Sequence, residues 1–272
     1  MNETILVPTD FSEVCNNAIS HGAEIARKLD GTLLLLHVVN KDTRTYLKRI
    51  RKTTDYISVR MRNLCESTGK KHQVTTKCLV RNGSIFTEIR KVSAEMNAGL
   101  MVLGTHGKTG FQHLTGSSAL RVITGVKIPV IVVQNRIVQQ GYKKIIFPLG
   151  LDTDFMEKLE HSIDIARLFD AKIHLYHYHS ESKNINRTLS QLTDLVTSRL
   201  TLEDIRFVKA SAKKENHFAE QVLNYAIEQR ADLIIIMTDN DEFESSFFTG
   251  RENEKMIYNL PQIPVMCVNP VK

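Results

Sequence analysis

The 272-residue sequence carries an internal repeat, and that repeat limits its possible folds more than any other feature. Thr4-Ile-Leu-Val-Pro8 returns as Lys144-Ile-Ile-Phe-Pro148, and Ile25-Ala-Arg27 as Ile165-Ala-Arg167. Leu33-Leu-Leu-Leu-His37 is matched by Ile173-His-Leu-Tyr-His177, Ala98-Gly-Leu-Met-Val-Leu103 by Ala231-Asp-Leu-Ile-Ile-Ile236, and Ile128-Pro-Val-Ile-Val-Val133 by Ile263-Pro-Val-Met-Cys-Val268. Five matches in the same order predict two copies of one domain, 1–138 and 139–272. The boundary falls in the polar stretch around Gln139-Gln140-Gly141.

Within the first copy, the runs 4–8, 32–39, 74–80, 99–104 and 129–133 are nearly continuous in Val, Ile and Leu, as strands covered on both faces should be. Between them, Ser12–Leu29 places apolar residues at helical spacing with Ser12 as its N-cap, and 43–68, 83–97 and 116–126 also read as helices. Alternating strands and helices predict α/β architecture: two tandem five-stranded, parallel, doubly wound, Rossmann-like domains. Ligands of such sheets bind beyond the carboxyl ends of the strands, where the strand order reverses. The residues following strands one, two and four therefore matter most.

After strand four comes Gly104-Thr-His106-Gly107-Lys108-Thr-Gly110, leading to Gly116-Ser117-Ser118 at a helix start. Glycines allow a backbone to approach an anion closely, and a helix N-terminus presents unpaired N–H groups and the positive end of its dipole. Ser117 and Ser118 add hydroxyl donors, and Lys108 a charge. Gly107-Lys108-Thr109 is not a Walker A loop, because Val102 stands where that motif needs its first glycine. His106 reads either as a phosphate donor or as a solvent-facing loop residue. At the end of strand one, Asp10 in Pro8-Thr9-Asp10-Phe11-Ser12 can accept from an exocyclic amine or a ribose hydroxyl, or cap the helix that follows.

Charge separates the halves: residues 1–140 hold 20 Lys+Arg against 10 Asp+Glu, whereas residues 141–272 hold 16 against 20. A basic half invites polyanions. Its densest cluster, 44–62, is spread at helical spacing with no aromatic platform, and reads as a solvated helix face rather than a nucleic-acid site. No apolar run reaches the roughly 18 residues of a membrane span, and Met1-Asn2-Glu3-Thr4-Ile5 does not begin a secretory signal. Cys15, Cys65, Cys78 and Cys267 are widely spaced and read as reduced thiols, which predicts a cytoplasmic setting with no membrane partner.

Together, Ile5-Leu-Val-Pro-Thr-Asp10-Phe-Ser12, Leu35-Leu-His37-Val38-Val39, Gly104-Thr-His-Gly107, Gly116-Ser117 and Ile128-Pro129-Val-Ile-Val-Val resemble a universal stress protein domain, and the tandem form of that family covers the whole chain. The resemblance implies a fold of the adenine nucleotide α-hydrolase type. It further implies ATP, with or without Mg²⁺, held by the end of strand one, the end of strand two and the glycine loop. Matched by position, the implied nucleotide-binding residues are Pro8, Thr9, Asp10, Val38, Val39, Gly104, His106, Gly107, Gly116, Ser117 and Ser118. The loop departs from the family pattern by one residue, with eight rather than nine between Gly107 and Gly116. The resemblance also implies pairing through the last strands. Val130–Val133 and Val265–Val268 can satisfy this within one chain as a pseudo-dimer, and a further homodimer stays open. The implied role is a nucleotide-responsive stress or regulatory protein with an unknown protein partner, rather than a fast enzyme. An interaction protein that binds no nucleotide is the alternative.

The second copy lacks these residues. Asp10 corresponds to Gly150, Gly104 to Met237, Gly107 to Asn240 and Gly116-Ser117 to Gly250-Arg251, and the acidic run Asp239-Asn-Asp241-Glu-Phe-Glu244 would repel a triphosphate. His174, His177 and His179 lack the further ligand a zinc site needs, and His177 repeats the position of His37, which predicts a strand-end role common to both. No metal site is expected. Gly107→Val should abolish an ATP-induced rise in thermal stability while leaving the fold intact. An undiminished rise in thermal unfolding with ATP would place the site elsewhere.

Overall fold

A computed structural model describes residues 2–105, 116–137, 141–151, 155–213, 217–238 and 255–270. The chain divides into two compact units, Met1–Ile137 and Val138–Lys272. The first unit runs β1 (Thr4–Pro8), α1 (Glu13–Lys28), β2 (Thr32–Val39), α2 (Lys41–Arg49), α3 (Thr54–His72), β3 (Thr75–Asn82), α4 (Ile85–Glu95), β4 (Leu100–Gly104), α5 (Gly116–Thr124) and β5 (Val130–Val133). Its strands lie in the order β3-β2-β1-β4-β5 and pair in parallel throughout. The second unit contains β6 (Lys144–Leu149), α6 (Phe155–Phe169), β7 (Lys172–His177), α7 (Lys183–Leu202), β8 (Phe207–Ser211), α8 (Phe218–Glu228), β9 (Leu233–Met237) and β10 (Val265–Val268). Its order, β10-β9-β6-β7-β8, is again all parallel.

The apolar runs are strands because both faces are covered. Ile5, Leu6, Val7, Leu33 through Leu36 and Ile234 through Ile236 are completely inaccessible. At about 1.5–3 kcal/mol for each fully buried aliphatic side chain, these strands form the hydrophobic centre of each unit. The helices end by a shared device. Asp30 after α1 and Asp170 after α6 both take left-handed backbone (φ 52° and 48°), which lets Gly31 N–H reach Ala26 O and Ala171 N–H reach Ala166 O, each at 2.8 Å. α1 is also tied to the end of β5, where Asn17 Nδ2 donates to the carbonyls of Gln134 and Arg136.

Three sequence expectations are corrected. The stretch 43–68 is two helices, α2 and α3. A continuous helix would turn positions 51 and 54 inward beside buried Leu47, but these are Arg51 and Thr54. The chain instead breaks at Arg51 (φ 55°), and the apolar stripe restarts at Ile57, Met61 and Cys65. Ser12 precedes α1 at the N-cap position, yet its hydroxyl makes no capping bond. The expectation of four reduced thiols also fails: Cys65 on α3 and Cys78 on β3 form a disulfide, Cα atoms 6.3 Å apart. The strand order puts β3 directly under α3, a proximity that their 13-residue separation in sequence does not reveal. Cys15 and Cys267 are free and buried. Thiol titration of the unfolded, unreduced chain should therefore find two thiols, and four would contradict the pairing.

Candidate functional site

In the first unit the strand order reverses between β1 and β4, and there a cavity of about 760 Å³ opens at the carboxyl ends of β1, β2 and β4. Of the residues singled out in the sequence, Pro8, Thr9, Asp10, Val38 and Gly104 line it. Val39 does not: it is buried, and its carbonyl accepts from Gly83 N–H. Gly116, Ser117 and Ser118 form the first turn of α5. His106 and Gly107, with most of the glycine loop, fall outside the described residues.

The turn after β1 organises the cavity lip. Asp10 is exposed there, and its Oδ1 accepts from Ser12 N–H at 2.9 Å and from the Cys15 thiol at 3.2 Å. The Asp10 carboxylate thus closes the turn before α1 on the Ser12 N–H, while the capping bond expected of the Ser12 hydroxyl is not made. Burial, reinforced by that carboxylate, pushes the Cys15 thiol up to about 12, so it stays a protonated donor. The Ser12 hydroxyl, buried at the cavity wall, and the Thr105 hydroxyl, buried just beyond β4, have no hydrogen-bond partner among the described residues. Buried hydroxyls are normally satisfied, so an unpaired one at a cavity wall is a group for a ligand to complete. Thr9 is committed internally: its N–H donates to Leu36 O, its carbonyl accepts from His37, and its hydroxyl accepts from Phe11 N–H.

Gly104 has a structural reason to be glycine. A Cβ there would lie 2.8 Å from the Val14 carbonyl oxygen of α1, so any side chain would force the helix off the sheet. The glycine permits close packing of α1 on β4 and, by the same approach, brings the start of α1 to the cavity.

His37 joins β2 to the turn. Its Nδ1 lies 2.7 Å from Thr9 O, which makes Nδ1–H the donor and leaves Nε2 to accept from Thr43 Oγ1 at 3.4 Å. Burial holds its pKa below the usual 6.5, with the Thr9 carbonyl opposing, so the imidazole is neutral at pH 7. The strand-end role expected to be common to His37 and His177 is not found. His177 Nδ1 lies near the carbonyl of its own neighbour Tyr178, and Leu149 O, the counterpart of Thr9 O, accepts from Tyr178 N–H.

Two lining residues escaped the sequence reading. Phe11 stacks on His37 with ring centroids 4.8 Å apart, and Arg60 sets its guanidinium 4.1 Å from the Phe11 ring centroid. Arg60 belongs to the basic stretch read as a solvated face. It is half-buried instead, because the break at Arg51 re-aims α3 toward the cavity. The signal available was Phe11 itself, a large apolar residue inside a polar turn.

A sequence model of the Universal stress protein family matches residues 1–134. Universal stress protein G of Escherichia coli O157:H7 is 27% identical over 143 residues, which is 49% of this chain and 100% of that protein. A universal stress protein of Methanocaldococcus jannaschii is 30% identical over 141 residues, 48% of this chain and 81% of that protein. The chain belongs to the universal stress protein family. Among solved structures, a universal stress protein from Archaeoglobus fulgidus matches with a TM-score of 0.76, covering 98% of both chains at 17% identity, which is a likeness of fold.

In this universal stress protein the two units treat the same strand ends differently. Ala18 of α1 has Lys158 of α6 as its counterpart, completely buried, with Nζ donating to Pro148 O at 2.7 Å and lying 4.6 Å from the Phe147 ring centroid. Thr105 has Thr238 as its counterpart, and the Thr238 hydroxyl is satisfied by Asn269 and Val268 O.

Because the folded pKa of His37 lies below 6.5, its contribution to stability is fully present above pH 6.5 and is lost as pH falls from there through the folded value. Denaturant unfolding between pH 7 and pH 5 should show the natural protein losing more stability than His37→Gln. Parallel curves would contradict the neutral, Thr9-bonded imidazole.

Proposed function

We propose that the first unit binds ATP or a related adenine nucleotide, and that the chain works as a nucleotide-responsive stress or regulatory protein rather than a fast enzyme. The observation that carries this reading is the cavity at the β1/β4 reversal, with the Asp10 carboxylate at its lip and the unpartnered Ser12 hydroxyl in its wall. A carboxylate and a strand-end backbone suit the amine and ring edge of an adenine. Asp10 and Val38 would face the base and ribose. The loop after β4, with His106, Gly107 and the α5 start at Gly116, Ser117 and Ser118, would receive the phosphates. Binding would order that loop and shift the population of a surface read by a partner.

The second unit, on this reading, is a scaffold that has lost the site. A buried lysine side chain stands where the first unit has Ala18, and its ammonium is spent on the carbonyl at the end of β6. The Thr238 hydroxyl, unlike that of Thr105, is already satisfied. Among the described residues no helix is long and apolar enough to cross a membrane. The cytoplasmic setting, and a division of labour between residues 1–138 and 139–272, belong to the same proposal.

ATP at about 100 times its Kd should raise unfolding free energy by about 2.7 kcal/mol. Asp10→Asn keeps an acceptor for Ser12 N–H but removes the charge. It should weaken ATP at least about tenfold, or about 1.4 kcal/mol, by calorimetric titration. No thermal shift with millimolar ATP would favour the interaction-protein reading.

A further inference from the structure

α3 is attached to the first unit by a thin seam. Of its 19 residues only Ile57, Met61, Cys65 and Thr68 are buried, whereas α1 buries nine of 16. The strand beneath α3, β3, lies at the sheet edge and is itself partly exposed. Little apolar area therefore fixes the helix, and the Cys65–Cys78 disulfide supplies a correspondingly large share of its attachment.

Around the bridge, helix and strand approach closely. Thr76 Oγ1 donates to Cys65 O at 3.2 Å. Gly69 lets the last turns of α3 down onto β3, since a Cβ there would lie 3.1 Å from Thr76 Oγ1. Cys78 Sγ lies 3.5 Å from Met61 O, so a thiol formed by reduction has an acceptor already in place. The reduced pair stays within reach of reclosure.

The other end of the same buried stripe is the cavity wall. Ile57 and Arg60 line the cavity, and the Arg60 guanidinium sits 4.1 Å from the Phe11 ring centroid. Cys65 is two helical turns beyond Ile57, roughly 12 Å along the axis, so freeing Cys65 loosens the helix that forms this wall.

In the reducing compartment proposed for this chain, a disulfide is a transient, redox-sensing bond rather than a permanent staple. The other two thiols do not compete for it. Cys15 and Cys267 are buried, and burial keeps both protonated, with Cys15 pushed up to about 12.

We propose that Cys65–Cys78 is a thiol-reducible latch that sets how firmly α3 walls the cavity. The latch belongs to the free chain and goes beyond the nucleotide reading; only its effect on ATP rests on that reading. Its reductant is a dithiol. One thiolate attacks Sγ of Cys78, the less buried partner, the S–S bond breaks, and Cys65 leaves with the electron pair and takes a proton from solvent. The second sulfur of the dithiol then displaces Cys78 and closes its own disulfide. Two electrons and two protons pass to the protein, and the dithiol is oxidised.

Dithiothreitol added to the folded full chain tests this. The thiol count, taken after an acid quench, should rise from two to four without denaturant. Hydrogen exchange of the amides 54–64 should then quicken at least tenfold while those of α1 stay unchanged, and reoxidation should restore the slow exchange. A bridge that resists dithiothreitol until the chain unfolds would overturn the latch. So would exchange in α3 that stays the same on reduction, or that rises only together with α1. Cys78→Ser should exchange like the reduced natural protein and ignore dithiothreitol. If that variant does not fold, the natural protein in its two redox states decides alone. ATP should bind the reduced chain at least threefold more weakly by calorimetric titration, and equal affinities would overturn the coupling to the cavity. ATP binding in neither state would defeat the nucleotide reading, and the exchange data would still decide the latch.

Discussion

A parallel sheet covered on both faces has nowhere to meet a ligand except at its strand ends, and this constraint governs the first unit. The interiors of β1, β2, β4 and β5 are buried, whereas the edge strand β3 is partly exposed, so the polar groups of the central strands that can meet a ligand lie in the turns after them. Where the strand order reverses between β1 and β4, a cavity opens at the strand ends. The close approach of α1 to β4 over Gly104 sets how near the helix start lies to that cavity. Asp10, Ser12 and Cys15 then form one unit, in which a single carboxylate oxygen accepts from the Ser12 N–H before the helix and from a buried thiol within it.

The two units carry the same framework with different side chains at corresponding positions. Their strands, helix ends and left-handed aspartates correspond closely, because these follow from the apolar pattern and the crossover geometry. The difference lies in single side chains. Ala18 has as its counterpart Lys158, which is completely buried and donates to the Pro148 carbonyl. Among the described residues the Thr105 hydroxyl has no hydrogen-bond partner, whereas Thr238 is bonded to Asn269.

Much of this was readable in the amino-acid order. The repeat and the near-continuous Val/Ile/Leu runs predict the strands to within two residues at each end, and the strand order places Asp10 and Gly104 at one crevice. The reading failed where proximity depends on tertiary geometry. Cys65 and Cys78 meet because α3 packs on β3, and Arg60 faces inward because the chain breaks at Arg51. Gly104 was read as a place for phosphate, yet its contact with the Val14 carbonyl accounts for it through packing alone. Ser12 marked the helix start correctly by position and wrongly by bond, since its hydroxyl makes no capping bond and its own N–H donates to Asp10.

The central claim is that the leading unit holds an adenine nucleotide at the β1/β4 reversal. A crystal structure of the full chain grown with ATP tests it most directly. The account predicts one nucleotide, in the first unit, its base against Asp10 and Val38 and its phosphates toward the start of α5. A nucleotide seated at the end of β6 in the second unit, or one in the first unit whose base does not reach Asp10, would contradict it.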